Sequence, residues 1–324
     1  MKMNAAVVTS FDEPPHYQSF DPPQPRGEHE VLADVLAAGL HPRVRSGASG
    51  SHYTSTGQLP LIPGIDGVAR LPDGRRAYFV GPETAFGTMA DKAIVDMRRV
   101  VILPDDADAV KVAAAMNPAM SSWVALRRRV PLEAGQDVLI LGVTGNAGQM
   151  AVQIAKRLGA RRVIGAGRDE GRLSEALSLG ADEVVVLSDS PKLSAAAIAD
   201  TACEVDVVLD YLWGGPAQET IPALLKKRSD RSRSLDWVQI GSVAGPTIEL
   251  PSVALRSANF RLQGAGQGAV SLRAYLAELP SLVDEITTGR LKVSTVTVGL
   301  RDIEAAWTKA TATGQRMVVI PGRE

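Results

Sequence analysis

The stretch VLILGVTGNAGQMAVQIAKRLGA, residues 138–160, reads as an apolar strand, a glycine-punctuated turn and an amphipathic helix. Gly142, Gly145 and Gly148 stand at GxxGxxG spacing between the strand and the helix. Glycines at these points permit a tight turn and a close approach of backbone to an anion, and the helix N-terminus adds unpaired N–H groups and a partial positive charge. Thr144 stands in the region where the commoner GxG arrangement has its central glycine. The context supplies what a glycine motif alone lacks: a strand before, a helix after, and a second strand, RRVIGAG at 161–167, soon afterwards. A turn that only packs helix on strand would need similar glycines. The phosphate-binding reading makes Thr144, Gly145, Asn146 and Ala147 candidate cofactor contacts.

Beyond this unit the alternation continues. EVVVL (183–187), VDVVLDYL (205–212), WVQIG (237–241) and FRLQGAG (260–266) are apolar, strand-like and separated by helical patterns. Such a rhythm predicts a doubly wound parallel sheet of the α/β class, a Rossmann dinucleotide-binding domain, over residues 118–266. At the end of its second strand an NAD site carries a carboxylate that holds the ribose 2′-hydroxyl. Here the strand ends Gly165-Ala166-Gly167-Arg168. Gly167 is read as leaving room, while Arg168, assisted by Arg172, offers planar guanidinium groups to a 2′-phosphate, so NADPH is the expected cofactor. Asp169 and Glu170 are expected to open the next helix and point away; the alternative is a surface pair between Arg168 and one of them.

The residues before this domain form short β-like runs, VLADVLAAGL (31–40), GVARL (67–71), RAYFV (76–80) and KAIVD (92–96), broken by Gly and Pro. A tail with a strand near VSTVTVGL (293–300), a helix over 302–312 and a last strand RMVVIP (316–321) is expected to rejoin them, giving a second domain from 1–117 and 267–324. The 35 basic and 36 acidic residues nearly cancel, so no net field favours nucleic acid or an anionic membrane, and a small-molecule substrate is expected. The basic run KKRSDRSRS (226–234) reads as a solvated loop. Cys203 is the sole cysteine, which excludes an intrachain disulfide and points to the reducing cytoplasm. No signal sequence or membrane span is expected, because the first apolar run stops at Asp12 and no stretch reaches roughly 18 apolar residues.

Several landmarks occur in the order used by the quinone-reductase-like medium-chain dehydrogenases/reductases. LPLIPGIDGVARL (59–71), FGTMADKAIVD (86–96) and AAAMNPAMSSWVAL (113–126) precede the glycine turn; LSLGADEVV (177–185), VDVVLDYLWGG (205–215) and WVQIGSVAG (237–245) follow it. The chain resembles that family over nearly its whole length. The resemblance implies a GroES-like, β-rich catalytic domain built from both chain ends around the Rossmann domain, and NADPH-dependent reduction of quinones or α,β-unsaturated carbonyls. It adds Ser121, Gly241 and Ser242 to the cofactor contacts. It also points to a homodimer joined along the last Rossmann strand, Phe260 to Gly264. The segment HPRVRSGASGSHY (41–53) would line the substrate side, making His41, Arg43 and Tyr53 candidates for proton donation or oxyanion support. This chain has Ala38 and Arg43 where relatives often carry Asn and Tyr, which leaves substrate identity open. For each candidate a structural role, His41 capping a turn or Tyr53 packing in a loop, is an equal alternative.

Zinc members of the family need a cysteine, a histidine and a third ligand around an open position. In PGID, residues 63–66, Ile65 stands where the zinc branch has its ligand histidine, and His16, His29, His41 and His52 are scattered. A zinc-free mechanism with no metal site is therefore expected. The short-chain YxxxK pair and a GxSxG hydrolase elbow are absent. The competing expectation is an NADPH-binding sensor or structural subunit with little catalysis, since no strong acid/base pair stands out.

Overall fold

Apolar β-branched runs of four to six residues can be buried on both faces only in a sheet covered by helices on each side, and residues 118–278 form one. The structure is a computed structural model that describes residues 1–81, 84–266, 268–309 and 314–322. By backbone contacts it comprises two units, Met1–Asn117 with Leu279–Glu324, and Pro118–Glu278. Gln267, where the sequence places the return to the first domain, lies outside the described residues. The helix Leu272–Leu276 groups with the second unit, and the return comes at Leu279.

In the second unit six parallel strands are present among the described residues: Asp137–Leu141, Arg162–Gly167, Glu183–Val186, Val207–Asp210, Leu235–Gln239 and Phe260–Gly264. Numbered in chain order, they lie side by side as 3-2-1-4-5-6, the doubly wound order, with the reversal between the first and fourth. Every residue of the first strand is buried. Helix Asn146–Arg157 covers that strand with Met150, Ala151, Val152, Ile154 and Ala155 and ends before Gly159, whose φ is +95°. Leu139, Leu141, Ile164, Val208 and Trp237 belong to one continuous core. Burial of a side chain of this size stabilises by about 1.5–3 kcal/mol, so this core dominates the unit's stability. The last strand, Phe260–Gly264, pairs among the described residues only with Leu235–Gln239 and forms a sheet edge.

The first unit is organised by the strand Glu30–Leu40, which pairs antiparallel with Asp66–Arg70, Lys92–Asp96 and Arg316–Ile320. Arg316–Ile320 in turn pairs parallel with Thr295–Gly299, so the C-terminal tail is stitched into the sheet begun by the N-terminal residues. The helix expected over 302–312 runs Ile303–Lys309, and residues 310–312 lie outside the described residues. Among the described residues no helix is long and apolar enough to cross a membrane.

The expected solvated loop at 226–234 hides one exception. Arg228 is buried and donates to the carbonyls of Cys203, Val205, Arg233 and Ser234. It closes loop ends from within, and the surrounding charges stay outside.

Candidate functional site

The glycine turn has a different reason for each glycine. Gly142 sits at φ +89°, a left-handed backbone that side chains resist. A Cβ on Gly148 would lie 2.4 Å from the Gly142 oxygen and 2.6 Å from the Val143 Cα, so the helix packs on the strand at a distance only glycine permits. Gly145 is extended, at φ −78° and ψ 159°, and its Cβ would meet only the Gly142 oxygen at 3.5 Å among the described residues. Among the described residues nothing crowds that side of Gly145, which leaves space at the helix N-terminus for a phosphate. The helix has no side-chain cap and no acidic residue in its first turn. Its leading amides, from Asn146, Ala147 and Gly148, have no intrahelical acceptor and face an anion favourably. Backbone hydrogen bonds from Gly142 and Val143 to the Ala166 carbonyl, 2.9 and 3.0 Å, hold the turn against the second strand.

The end of that second strand departs from expectation in two ways. Gly167 does not open room for a ribose, because a Cβ there would lie 2.4 Å from Cγ2 of Thr144, whose side chain takes the space. Arg172 is engaged within the protein. Its Nε donates to the Thr144 carbonyl at 2.9 Å, its Nη2 to Oε1 of Gln149 at 3.0 Å, and its Nη1 lies 3.3 Å from Glu175. Arg172 therefore shapes the glycine turn. Arg168, by contrast, is exposed and makes no hydrogen bond or ion pair among the described residues. Asp169 caps helix Glu170–Ser178 by accepting from the Arg172 amide, so the nearby acids are helix-opening residues, as the sequence suggests.

Ligands of open α/β sheets lie at the carboxyl ends of strands where the strand order reverses, here beside Leu141 and Asp210. Tyr211 follows Asp210 at this point and was not singled out from the sequence. It is buried, and its hydroxyl lies 3.0 Å from Oγ of Ser121. Burial holds its pKa up at about 12, with hydrogen bonds to Ser121 and Ser122 acting the other way. Asp210 is fully buried and accepts from the amides of Leu212 and Trp213 and from the indole of Trp237. Desolvation raises its pKa against the pull of those three donors. Gly241 lies against this turn: its amide donates to the Asp210 carbonyl at 3.1 Å, and a Cβ on it would be 2.7 Å from the Tyr211 carbonyl oxygen. Ser242 is exposed beside it. An aromatic directly after an apolar strand was the signal available in the sequence.

The candidates of the first unit separate. His41 is 2% exposed; it precedes helix Pro42–Ala48 without a side-chain cap bond, and its Nε2 lies 3.4 Å from Asp66. Asp66 also accepts from the Tyr78 hydroxyl at 2.9 Å. His41 is thus part of a buried polar cluster, and its ring is withdrawn from solvent. Tyr53 is 71% exposed and stacks on His52 at 4.4 Å. Arg43 is half-buried, and its charge reaches both His41 and His52.

Burial lowers the His41 pKa first, the Asp66 contacts oppose this, and Arg316 and Arg43 reinforce it. A histidine whose folded pKa lies below its unfolded value of roughly 6.5 binds protons preferentially in the unfolded chain. Its stabilising contribution is complete above that unfolded value and is lost as pH falls toward the folded one. The melting temperature should therefore drop between pH 7.5 and 5.5, and His41→Asn should flatten that slope. An unchanged slope in the variant would contradict this role.

The family described as zinc-binding dehydrogenase matches residues 147–278. That segment holds no histidine and one cysteine, so the match concerns the dinucleotide fold and leaves metal chemistry open. A probable NADPH-dependent quinone reductase of Emericella nidulans is 29% identical over 98% of this chain and 100% of its own length. Human quinone oxidoreductase is 33% identical, over 48% of this chain and 50% of that protein, so the chain matches about half the length of such relatives. A solved structure of the Thermus thermophilus quinone oxidoreductase covers 98% of this chain and 100% of its own at a TM-score of 0.80 and 25% identity. The strand order, the glycine turn and these likenesses agree in making the chain similar, over its whole length, to the quinone oxidoreductases of the medium-chain dehydrogenase/reductase family.

Proposed function

We propose that this protein reduces quinones or α,β-unsaturated carbonyl compounds with NADPH. The observation that carries the reading is the glycine turn with its open helix N-terminus and, next to it, the unengaged guanidinium of Arg168. The whole-length relative is named as an NADPH-dependent quinone reductase, and a relative in Arabidopsis thaliana as an NADPH-dependent alkenal/one oxidoreductase, which supports the substrate class. When bound, the cofactor supplies the hydride. The chain's own groups do the rest: the turn Thr144–Gly145 and the free amides of Asn146, Ala147 and Gly148 would hold the pyrophosphate, Arg168 would hold the 2′-phosphate, and Ser121, Gly241 and Ser242 would contact the cofactor elsewhere. Negative charge develops on the conjugated oxygen during reduction and needs a donor or cation beside it. With His41 withdrawn, Arg43 and Tyr53 are the candidates in the first unit for that support and for proton delivery. The test is NADPH consumption with a panel of quinones and enones. Tight NADPH binding without oxidation by any of them would favour the sensor reading.

The proposed mechanism uses no zinc. Among the described residues no three His, Cys, Asp or Glu side chains are grouped to hold a metal ion. The purified protein should contain far less than one zinc per chain and keep its activity after chelation; a stoichiometric zinc whose removal abolishes activity would contradict this.

We also place the protein in the cytoplasm as a homodimer paired along Phe260–Gly264. An open edge strand invites pairing, and a two-fold axis there would continue one sheet across both subunits. Light scattering should give twice the mass of 34.2 kDa, and a monomer at micromolar concentration would count against it.

A further inference from the structure

Tyr211, at the strand-order reversal, lies beside three segments assigned to the cofactor. A Cβ on Gly142 would lie 3.3 Å from the Tyr211 Cβ, and a Cβ on Gly241 would lie 3.2 Å from its Cα. Its hydroxyl meets Ser121, on the helix Ala109–Val124, at 3.0 Å.

The hydrogen-bond directions follow from counting hydrogens. Ser121 donates its only hydroxyl hydrogen to the Pro118 carbonyl at 2.8 Å, and Ser122 donates its own to the Ala119 carbonyl at 3.3 Å. Tyr211 is then the donor, and the serine at 121 accepts. A phenol whose pKa stands at about 12 keeps that hydrogen across the working pH range. Ser121, its hydrogen committed and one lone pair filled, presents an acceptor to a neighbouring ligand.

The backbone around Tyr211 is held with equal care. Trp213 sits at φ 57° and ψ −154°, a left-handed conformation that is strained in a residue with a side chain. The buried Asp210 carboxylate fastens it through the Leu212 and Trp213 amides, 2.8 and 2.9 Å, and is itself fixed by Trp237 at 3.0 Å. A strained turn retained beside a ligand-binding edge indicates that the direction of its residues matters.

We propose that Tyr211 is a positioning residue for NADPH, acting through Ser121. The proposal rests on the reading of residues 142–148 as an NADPH site. It assigns no acid or base role to the phenol.

The test is a double-mutant cycle: NADPH titrations of wild type, Tyr211→Phe, Ser121→Ala and the double variant, with melting temperatures measured without cofactor. The expected result is a loss of about five- to tenfold for each single variant, the scale of one neutral hydrogen bond. The double variant should be no weaker than the weaker single one, because both changes break the same link. Ser121→Thr, which retains the acceptor, should bind within about twofold of wild type. Losses that multiply in the double variant, no loss in Tyr211→Phe, or a Ser121→Thr as weak as Ser121→Ala would each overturn the proposal. Should Tyr211→Phe fail to fold, the Ser121 pair alone decides. A wild-type protein that binds no NADPH would overturn the cofactor reading itself, and this inference with it.

Discussion

Gly148→Ala is expected to weaken both NADPH and NADH by about a hundredfold and to lower the melting temperature. The added methyl would stand 2.4 Å from the Gly142 oxygen and 2.6 Å from the Val143 Cα, and neither is the end of a flexible side chain. Backbone has to move, so the helix N-terminus and its amides shift relative to the strand. Misplacing a binding or catalytic group by about 1 Å can cost on the order of a hundredfold, and overpacking a tight contact costs about 1–3 kcal/mol of stability. Gly145→Ala separates the two effects. Its methyl meets only one protein oxygen, at 3.5 Å, but would occupy the side open to phosphate. It should therefore leave the melting temperature nearly unchanged while weakening both cofactors. Equal destabilisation by both variants would show that the glycines serve packing alone.

Arg168→Ala should weaken NADPH about ten- to hundredfold and leave NADH nearly unchanged, since a charge-assisted hydrogen bond contributes roughly 1.5–3 kcal/mol. The exposed guanidinium has no partner among the described residues, so its removal deprives only the 2′-phosphate. Arg172→Ala is the contrasting case. It removes bonds to the Thr144 carbonyl and to Gln149, loosens the turn, and should weaken both cofactors alike. Titrations of both variants with both cofactors at one salt concentration check this, because exposed charges are screened. A loss common to both cofactors in Arg168→Ala would mean that this residue also shapes the loop.

The sheet was legible because its strands are short apolar runs with helices between them, a pattern few other arrangements produce. The glycine turn was legible for the same local reason. What the sequence did not disclose depends on partners distant in the chain. Thr144 fills the space beside Gly167, and Arg172 turns back to Thr144 and Gln149, so two residues read as serving the ribose serve the turn. His41 read as a candidate for proton donation or as a turn cap beside a proline, but it is buried against Asp66 of another strand, with the charge of Arg316 reaching it. Tyr211 and Asp210 were hidden inside VDVVLDYL, where local pattern cannot distinguish a packing tyrosine from one at a ligand edge. Only the neighbouring positions of the first and fourth strands give Tyr211 its place beside Gly142.

The most direct measurement is the fate of the hydride. NADPH deuterated at both C4 positions of the nicotinamide is supplied with an enone, and the reduced product is weighed by mass spectrometry. Transfer predicts one deuterium per product molecule, carried on the β-carbon, with much slower turnover when NADH replaces NADPH. Unreacted enone and intact NADPH in the presence of protein that binds the cofactor tightly would contradict the account.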